Sequence, residues 1–215
     1  MMRLDTPNGA LMVIELLEKM HPDAKIALQF LNPVELLIST ILSAQCTDER
    51  VNMVTPTLFK KYKTTEDYAN ADLRELEQDI RSTGFYRNKA KNIKACCQLL
   101  VEKFDSHIPK TMDELLEFPG VARKTANVVL QNAYDIVVGI VVDTHVYRVS
   151  RRLGMTHEKY PEKAETELMN IVPQAHWKKF SDLAIFHGRR VCMAKKPRCT
   201  LCILNKICPS AFTIA

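Results

Sequence analysis

The chain is 215 residues long and 47% hydrophobic, enough apolar material for one sizeable core or two smaller ones without disulfide support. A formal net charge of +5 and a pI near 8.8 suit a polyanionic partner but fall far short of a histone-like excess. The longest apolar run, Ile136 to Val142, is much shorter than the roughly 20 residues of a membrane-spanning helix, so no helical span and no membrane partner are expected. Met1 to Pro7 has neither a secretory signal nor a transit-peptide composition, and a cytoplasmic protein is expected.

Helix signals dominate the chain. Thr6-Pro7-Asn8 precedes apolar positions Leu11, Ile14 and Leu17, and His21-Pro22 ends that helix, because proline disfavours the helical state in the residue before it. Asn32-Pro33-Val34-Glu35 reads as N-cap, first-turn proline and capping-box acid of a helix through Leu37, Ile38 and Ile41. A third start lies at Thr47-Asp48. Asp72 with Glu75 opens another helix, which Gly84 is placed to close in a left-handed turn. From Asn88, the positions Ala90, Ile93, Cys97, Leu100 and Val101 share one face. Thr111 and Glu114 form a further capping box, with Leu115 and Leu116 inside and Pro119-Gly120 as a sharp stop. The helix that begins near Arg123 buries Ala126, Val129, Leu130 and Ala133, which puts Lys124 roughly opposite its apolar stripe. Residues 136–142 are β-branched and continuous, but one isolated strand cannot satisfy its own backbone, so an extended buried crossover is expected. Asp143 then serves as N-cap of a helix with Val146, Val149, Ser150 and Leu153 inside. The expected fold is all-α with short connections; one compact unit or two closely packed helical lobes both stay open.

Four of seven cysteines crowd into the tail as Cys192-x6-Cys199-x2-Cys202-x5-Cys208. Such spacing fits a tetrahedral zinc or a [4Fe–4S] cluster, and the number of sulfurs does not separate them. Cys46, Cys96 and Cys97 lack partner spacing and read as buried or half-buried thiols. Lys195, Lys196 and Arg198, between the first two tail cysteines, read either as a solvated basic loop or as cations held ready for phosphate.

The segment TMDELLEFPGVARKTANVVLQNA, two short helices around a Pro-Gly turn, resembles the helix-hairpin-helix element that offers backbone N–H groups to DNA phosphate. Within it FPGVARKTAN is similar to the LPGVGRKTAN signature of the endonuclease III superfamily, with Ala122 at the second glycine and Phe118 for leucine. VDTHV resembles that family's catalytic-aspartate motif, ILSAQCTD its LSAQTTD motif, and TGFYRNKAKNI its IGLYxxKAxNI motif. The cysteine spacing, with MAKKPR between the first two ligands, is similar to the iron–sulfur loop of the endonuclease III and adenine-mismatch glycosylase families.

The resemblance runs from about Ala10 to Cys208. It implies a six-helix barrel lobe over 26–136 with its hairpin at about 112–133, and a cluster lobe of 1–25 plus 137–215. It favours [4Fe–4S] over zinc at Cys192, Cys199, Cys202 and Cys208. It implies that Lys124 attacks C1′ of a flipped nucleotide and forms a Schiff base that permits β-elimination. The start of a helix disfavours an ammonium, and partial burial would add to that effect. Asp143, whose ionised form the capping N–H groups favour, would lend a fixed charge facing Lys124 across a cleft, while His145 reads as structural or phosphate-facing. Gln45 would fill the hole left by the flipped nucleotide and Phe85 would wedge beside the opposite base. Gly120, Ala122 and Arg123 would meet phosphate. The implied partner is double-stranded DNA with oxidised pyrimidines or abasic sites, bound by a monomer near a prokaryote-like nucleoid. Two other readings stay open: a monofunctional mismatch glycosylase for thymine, uracil or adenine, which Lys124 disfavours, and a non-catalytic DNA-binding module with a structural metal.

Overall fold

The structure is a computed structural model that describes residues 3–213. Among the described residues there are eleven α-helices and no strand: α1 (Pro7–Met20), α2 (Pro33–Ser43), α3 (Asp48–Lys61), α4 (Thr65–Asn70), α5 (Leu73–Asp79), α6 (Tyr86–Lys103), α7 (Met112–Leu116), α8 (Arg123–Ala133), α9 (Thr144–Arg152), α10 (Pro161–Ile171) and α11 (Trp177–Arg190). The all-α expectation holds. No described helix is long and apolar enough to cross a membrane. Two compact units divide the chain: a central unit, Ala27–Val138, and a terminal unit formed by the described part of Met1–Ile26 with Gly139–Ala215.

The central unit holds α2 to α8, one helix more than the six expected. The extra element is α4, where Thr64 accepts from Asp67 N and the Asp67 carboxylate accepts in return from Thr64 N, a full capping box on a segment with little apolar periodicity. The 18-residue α6 is its longest helix and packs against α2, α4 and α5. Buried Leu36, Leu37, Ile38 and Leu42 of α2 and Ala90, Ile93, Cys96, Cys97 and Leu100 of α6 supply much of the interior.

Several expectations shift here by one turn or one residue. Gly84 closes not α5 but a 3-10 turn at Arg81–Thr83 that intervenes. Val101 (38% exposed) and Leu116 (45%) lie outside the faces proposed for them, because each sits one residue past the last core position of its stripe. The Glu35 carboxylate accepts from Leu31 N at 2.6 Å, one residue upstream of the N-cap Asn32.

In the terminal unit, Ile14 and Leu17 of α1 share a core with Val146, Val149, Leu168, Phe180, Leu183 and Leu204. The buried face of α1 is centred on Ala10, Val13, Ile14 and Leu17, leaving Leu11 at its edge. The crossover forms neither helix nor strand, with a bend at Gly139, and it is buried only from Gly139 to Val142, Val138 being 38% exposed. Val141 N donates to Ser181 Oγ at 3.0 Å, which replaces a ladder partner. Helices α9 and α11 approach closely at Gly188, where an added Cβ would lie 2.8 Å from His145 Cβ.

Burial pushes the Asp182 carboxyl of α11 up to about 6, with Lys178 pulling the other way. The unfolded chain sheds this proton near 3.8 and the fold keeps it to about 6, so stability is fully present below the lower value and is lost as pH rises through the upper one. Asp182→Asn, neutral throughout, is expected to raise the thermal midpoint at about pH 7.5 and to change it little at about pH 4, as read by parallel melts.

Candidate active site and nucleic-acid interface

The hairpin lies in the central unit. Thr111 caps α7 by accepting from Glu114 N, and its hydroxyl donates to Glu114 Oε2 at 2.5 Å. Phe118 then buries itself against the Phe104 ring, 5.4 Å between centroids, and Pro119-Gly120 turns the chain. Gly120 has φ +76, and an added Cβ would lie 2.1 Å from Asn92 Nδ2, so both conformation and space require glycine. Ala122 has φ −93 and ψ 169, extended backbone open to any residue, and its lack of a second glycine costs the turn nothing. Ala122 brings no side-chain cap to α8, so its side chain occupies none of the first-turn N–H groups that suit an anion. Arg123 and Lys124 are exposed in that first turn. Lys124 lies away from the buried Ala126, Val129 and Leu130, as the helical period predicts, but it is more open than the partial burial expected of it.

Two more candidates share this unit. Gln45 follows the end of α2 with φ 52, and Phe85 precedes α6 with φ 48. Left-handed backbone costs an ordinary residue roughly 1 kcal/mol, yet Gln45 is exposed and Phe85 is 64% exposed. Neither side chain repays that strain by filling the core.

The terminal unit holds the other candidates. Asp143 caps α9, its Oδ1 accepting from His145 N and Val146 N, each at 2.8 Å, so that Oδ2 is not spent on the cap. His145, kept below the ordinary imidazole range chiefly by burial, accepts through Nδ1 from Arg148 at 3.1 Å and packs beside Gly188, a structural placement. Cys192, Cys199, Cys202 and Cys208 all line one cavity, together with Val149, Arg152 and His187 among others. No group of three or more His, Cys, Asp or Glu that could hold a single metal ion is found among the described residues. Lys195, Lys196 and Arg198 are exposed on the loop after Cys192, Lys196 with φ 50. Cys96 and Cys97 are buried and Cys46 half-buried, all three in the central unit.

Sequence reasoning missed the residues that hold these groups. Arg152 donates to Cys192 Sγ at 3.2 Å, Met193 O at 2.7 Å and Ala194 O at 2.9 Å, and Arg148 to Cys192 O and Gly188 O. Their i,i+4 spacing on α9 was a visible signal, but their acceptors lie about forty residues onward. Lys89 of the central unit was visible as a lysine on the apolar face of α6. Arg152→Gln removes most of the donors that clamp the loop and is expected to accelerate amide hydrogen exchange across 193–198 while α10 keeps its protection.

A family model described as "HhH-GPD superfamily base excision DNA repair protein" matches residues 38–174. The Endonuclease III of Synechocystis sp. is 53% identical over 199 residues, which cover 93% of this chain and 91% of that protein. The Endonuclease III of Bacillus subtilis is 48% identical over 190 residues, 88% of this chain and 86% of that protein. A solved "non-covalent Endonuclease III-DNA Complex" matches with a TM-score of 0.91 at 46% identity over 96% of each chain. A thermostable thymine-DNA glycosylase, 22% identical with a TM-score of 0.80 over 94% of this chain and 95% of its own, shares the fold.

Proposed function

We infer the activity from a plain premise: the chain belongs to the endonuclease III family, within the HhH-GPD superfamily of base excision DNA repair proteins. It is a DNA glycosylase with abasic-site lyase activity. Its substrate is double-stranded DNA bearing oxidised or ring-saturated pyrimidines, or abasic sites, bound by a monomer acting at the nucleoid of a prokaryotic cytoplasm.

Lys124 is the nucleophile. Its Nζ forms a bond to C1′ of the extruded nucleotide while the C1′–N bond to the base breaks, and the base leaves with that electron pair and a proton. Opening of the sugar ring, with O4′ taking a proton, gives a Schiff base at C1′. Loss of a C2′ proton then expels the 3′ phosphate by β-elimination. The observation that carries this reading is the exposed Lys124 in the first turn of α8, directly behind the Gly120 turn. A bound nucleotide must displace the water around that amine, whereas a lysine sunk in the core could not reach a sugar.

Asp143 contributes a carboxylate that stabilises the oxocarbenium-like sugar as the base departs and assists proton movement around the amine. Supporting this role, its cap uses one oxygen only. Gly120, Ala122 and Arg123 bind phosphate at the start of α8, Gln45 fills the gap left by the extruded nucleotide, and Phe85 wedges against the opposite base.

Cys192, Cys199, Cys202 and Cys208 hold a [4Fe–4S] cluster. Supporting this reading, all four thiols line one cavity and the chain belongs to the endonuclease III family. When bound it ties the tail together and stiffens the loop that offers Lys195, Lys196 and Arg198 to phosphate. Purified protein is expected to be brown, with about four irons per chain; zinc in colourless protein would overturn the assignment.

Borohydride added during incubation with lesion-bearing or abasic DNA is expected to trap a covalent adduct that Lys124→Ala abolishes. Base release without an adduct would instead mark a monofunctional glycosylase, and neither product a binding module. Asp143→Asn is expected to slow base excision on the order of 100-fold or more with DNA affinity largely retained, read from single-turnover excision beside a binding titration; normal excision with lost affinity would reverse its role.

A further inference from the structure

Helix α6 carries an unexpected ammonium. Lys89 is 4% exposed on the same side as buried Ala90, Ile93 and Cys97. Its Nζ donates to two backbone carbonyls, Leu42 O and Thr83 O, each at 2.8 Å. Leu42 lies in the last turn of α2, three residues before Gln45, and Thr83 ends the 3-10 turn two residues before Phe85. One charge therefore joins the two backbone segments from which the two strained, exposed residues extend.

Desolvation makes a buried ammonium costly, and burial indeed lowers the pKa of Lys89. An apolar residue would fill this position on α6 without that cost. Two oriented carbonyls, one at the negative end of α2, are what the charge obtains in return. The same side of α6, at i+3 and i+7, also supports the hairpin: Asn92 lies against Gly120, and Cys96 Sγ is 3.2 Å from Pro119 O.

We propose that Lys89 is a positioning residue that fixes the spacing of Gln45 and Phe85, so that both enter the duplex in one concerted step. The proposal rests on the reading of those two residues as the groups that open the duplex. Base extrusion requires the gap to be filled as it forms, and misplacement of a supporting group by about 1 Å can cost about 100-fold in rate. Lys89 would act on excision without touching DNA.

The test uses the cluster-loaded enzyme and a duplex with one oxidised pyrimidine, with 2-aminopurine placed beside it to report unstacking. Lys89→Met keeps all but the terminal atom of the side chain's length and removes its charge and donors. It is expected to lower single-turnover excision about 10- to 100-fold and to shrink the 2-aminopurine fluorescence rise, with DNA affinity nearly unchanged. In a Gln45→Ala/Phe85→Ala background the same substitution is expected to change excision less than about twofold, since nothing is left to position. Equal fold losses in the two backgrounds overturn the proposal and identify Lys89 as a general stabiliser. A Gln45→Ala/Phe85→Ala protein that excises at the wild-type rate refutes the underlying wedge reading instead, while the Lys124 adduct tests the chemistry separately. Should Lys89→Met fail to fold, Lys89→Gln, which retains an N–H donor, is expected to show a smaller loss with the same background dependence; wild-type excision by Lys89→Gln, with an unchanged fluorescence rise, overturns the proposal.

Discussion

A helix leaves its first N–H groups and its last carbonyls without partners inside the helix, and the eleven helices among the described residues, most of them short, are governed by how those ends are satisfied. In the central unit Asn32, Thr47, Thr64, Asp72 and Thr111 cap α2, α3, α4, α5 and α7 with their own side chains. The two helices there without a side-chain cap are α6 and α8, which begin behind Phe85 and Ala122. These are the starts to which the proposed function gives DNA. A cap that the chain supplies stabilises a helix by about 1 kcal/mol; one that it withholds leaves an anion site open. The contrast belongs to the central unit: in the terminal unit α10 and α11 also start without a side-chain cap, and α9 is capped by Asp143 itself.

The exposed turns are not held by their own side chains. Their conformations are imposed from beneath by polar groups on neighbouring helices: Lys89 and Asn92 in the central unit, Arg148 and Arg152 in the terminal one. Each of the three cations donates to backbone carbonyls. A carbonyl cannot be mutated away, so such a tether binds a position in the chain whatever side chains the turn carries. Contact residues at a turn can then vary while its geometry persists. The terminal unit applies the same device to its cysteines, with Arg152 gripping both the sulfur of Cys192 and the carbonyls that follow it.

Much of this was legible in the chain. Proline, the capping residues and the 3.6-residue period located α1, α2, α3, α8 and α9 to within a residue or two, because those signals act within one turn. The candidate residues were legible too, through short motifs rather than through periodicity: FPGVARKTAN, VDTHV and the cysteine spacing. The misses have a common cause. Helix α4 rests on a capping box and on burial against α6, with little period of its own. Leu116 and Val101 were apolar and near the stripe, and only the placement of neighbouring helices left them in solvent.

By itself, the sequence located the starts of most helices, with α4, α10 and α11 unread, and offered an amine, a carboxylate and four thiols as candidates for chemistry. These are local matters, decided by backbone sterics, capping and side-chain type over a few residues. Tertiary structure alone decided that four tail thiols line one cavity, and that Lys89 meets Leu42 across 47 positions of chain and Arg152 meets Cys192 across 40. Those pairings depend on how helices pack, and packing is set by the joint burial of apolar faces from distant segments, which no local pattern encodes.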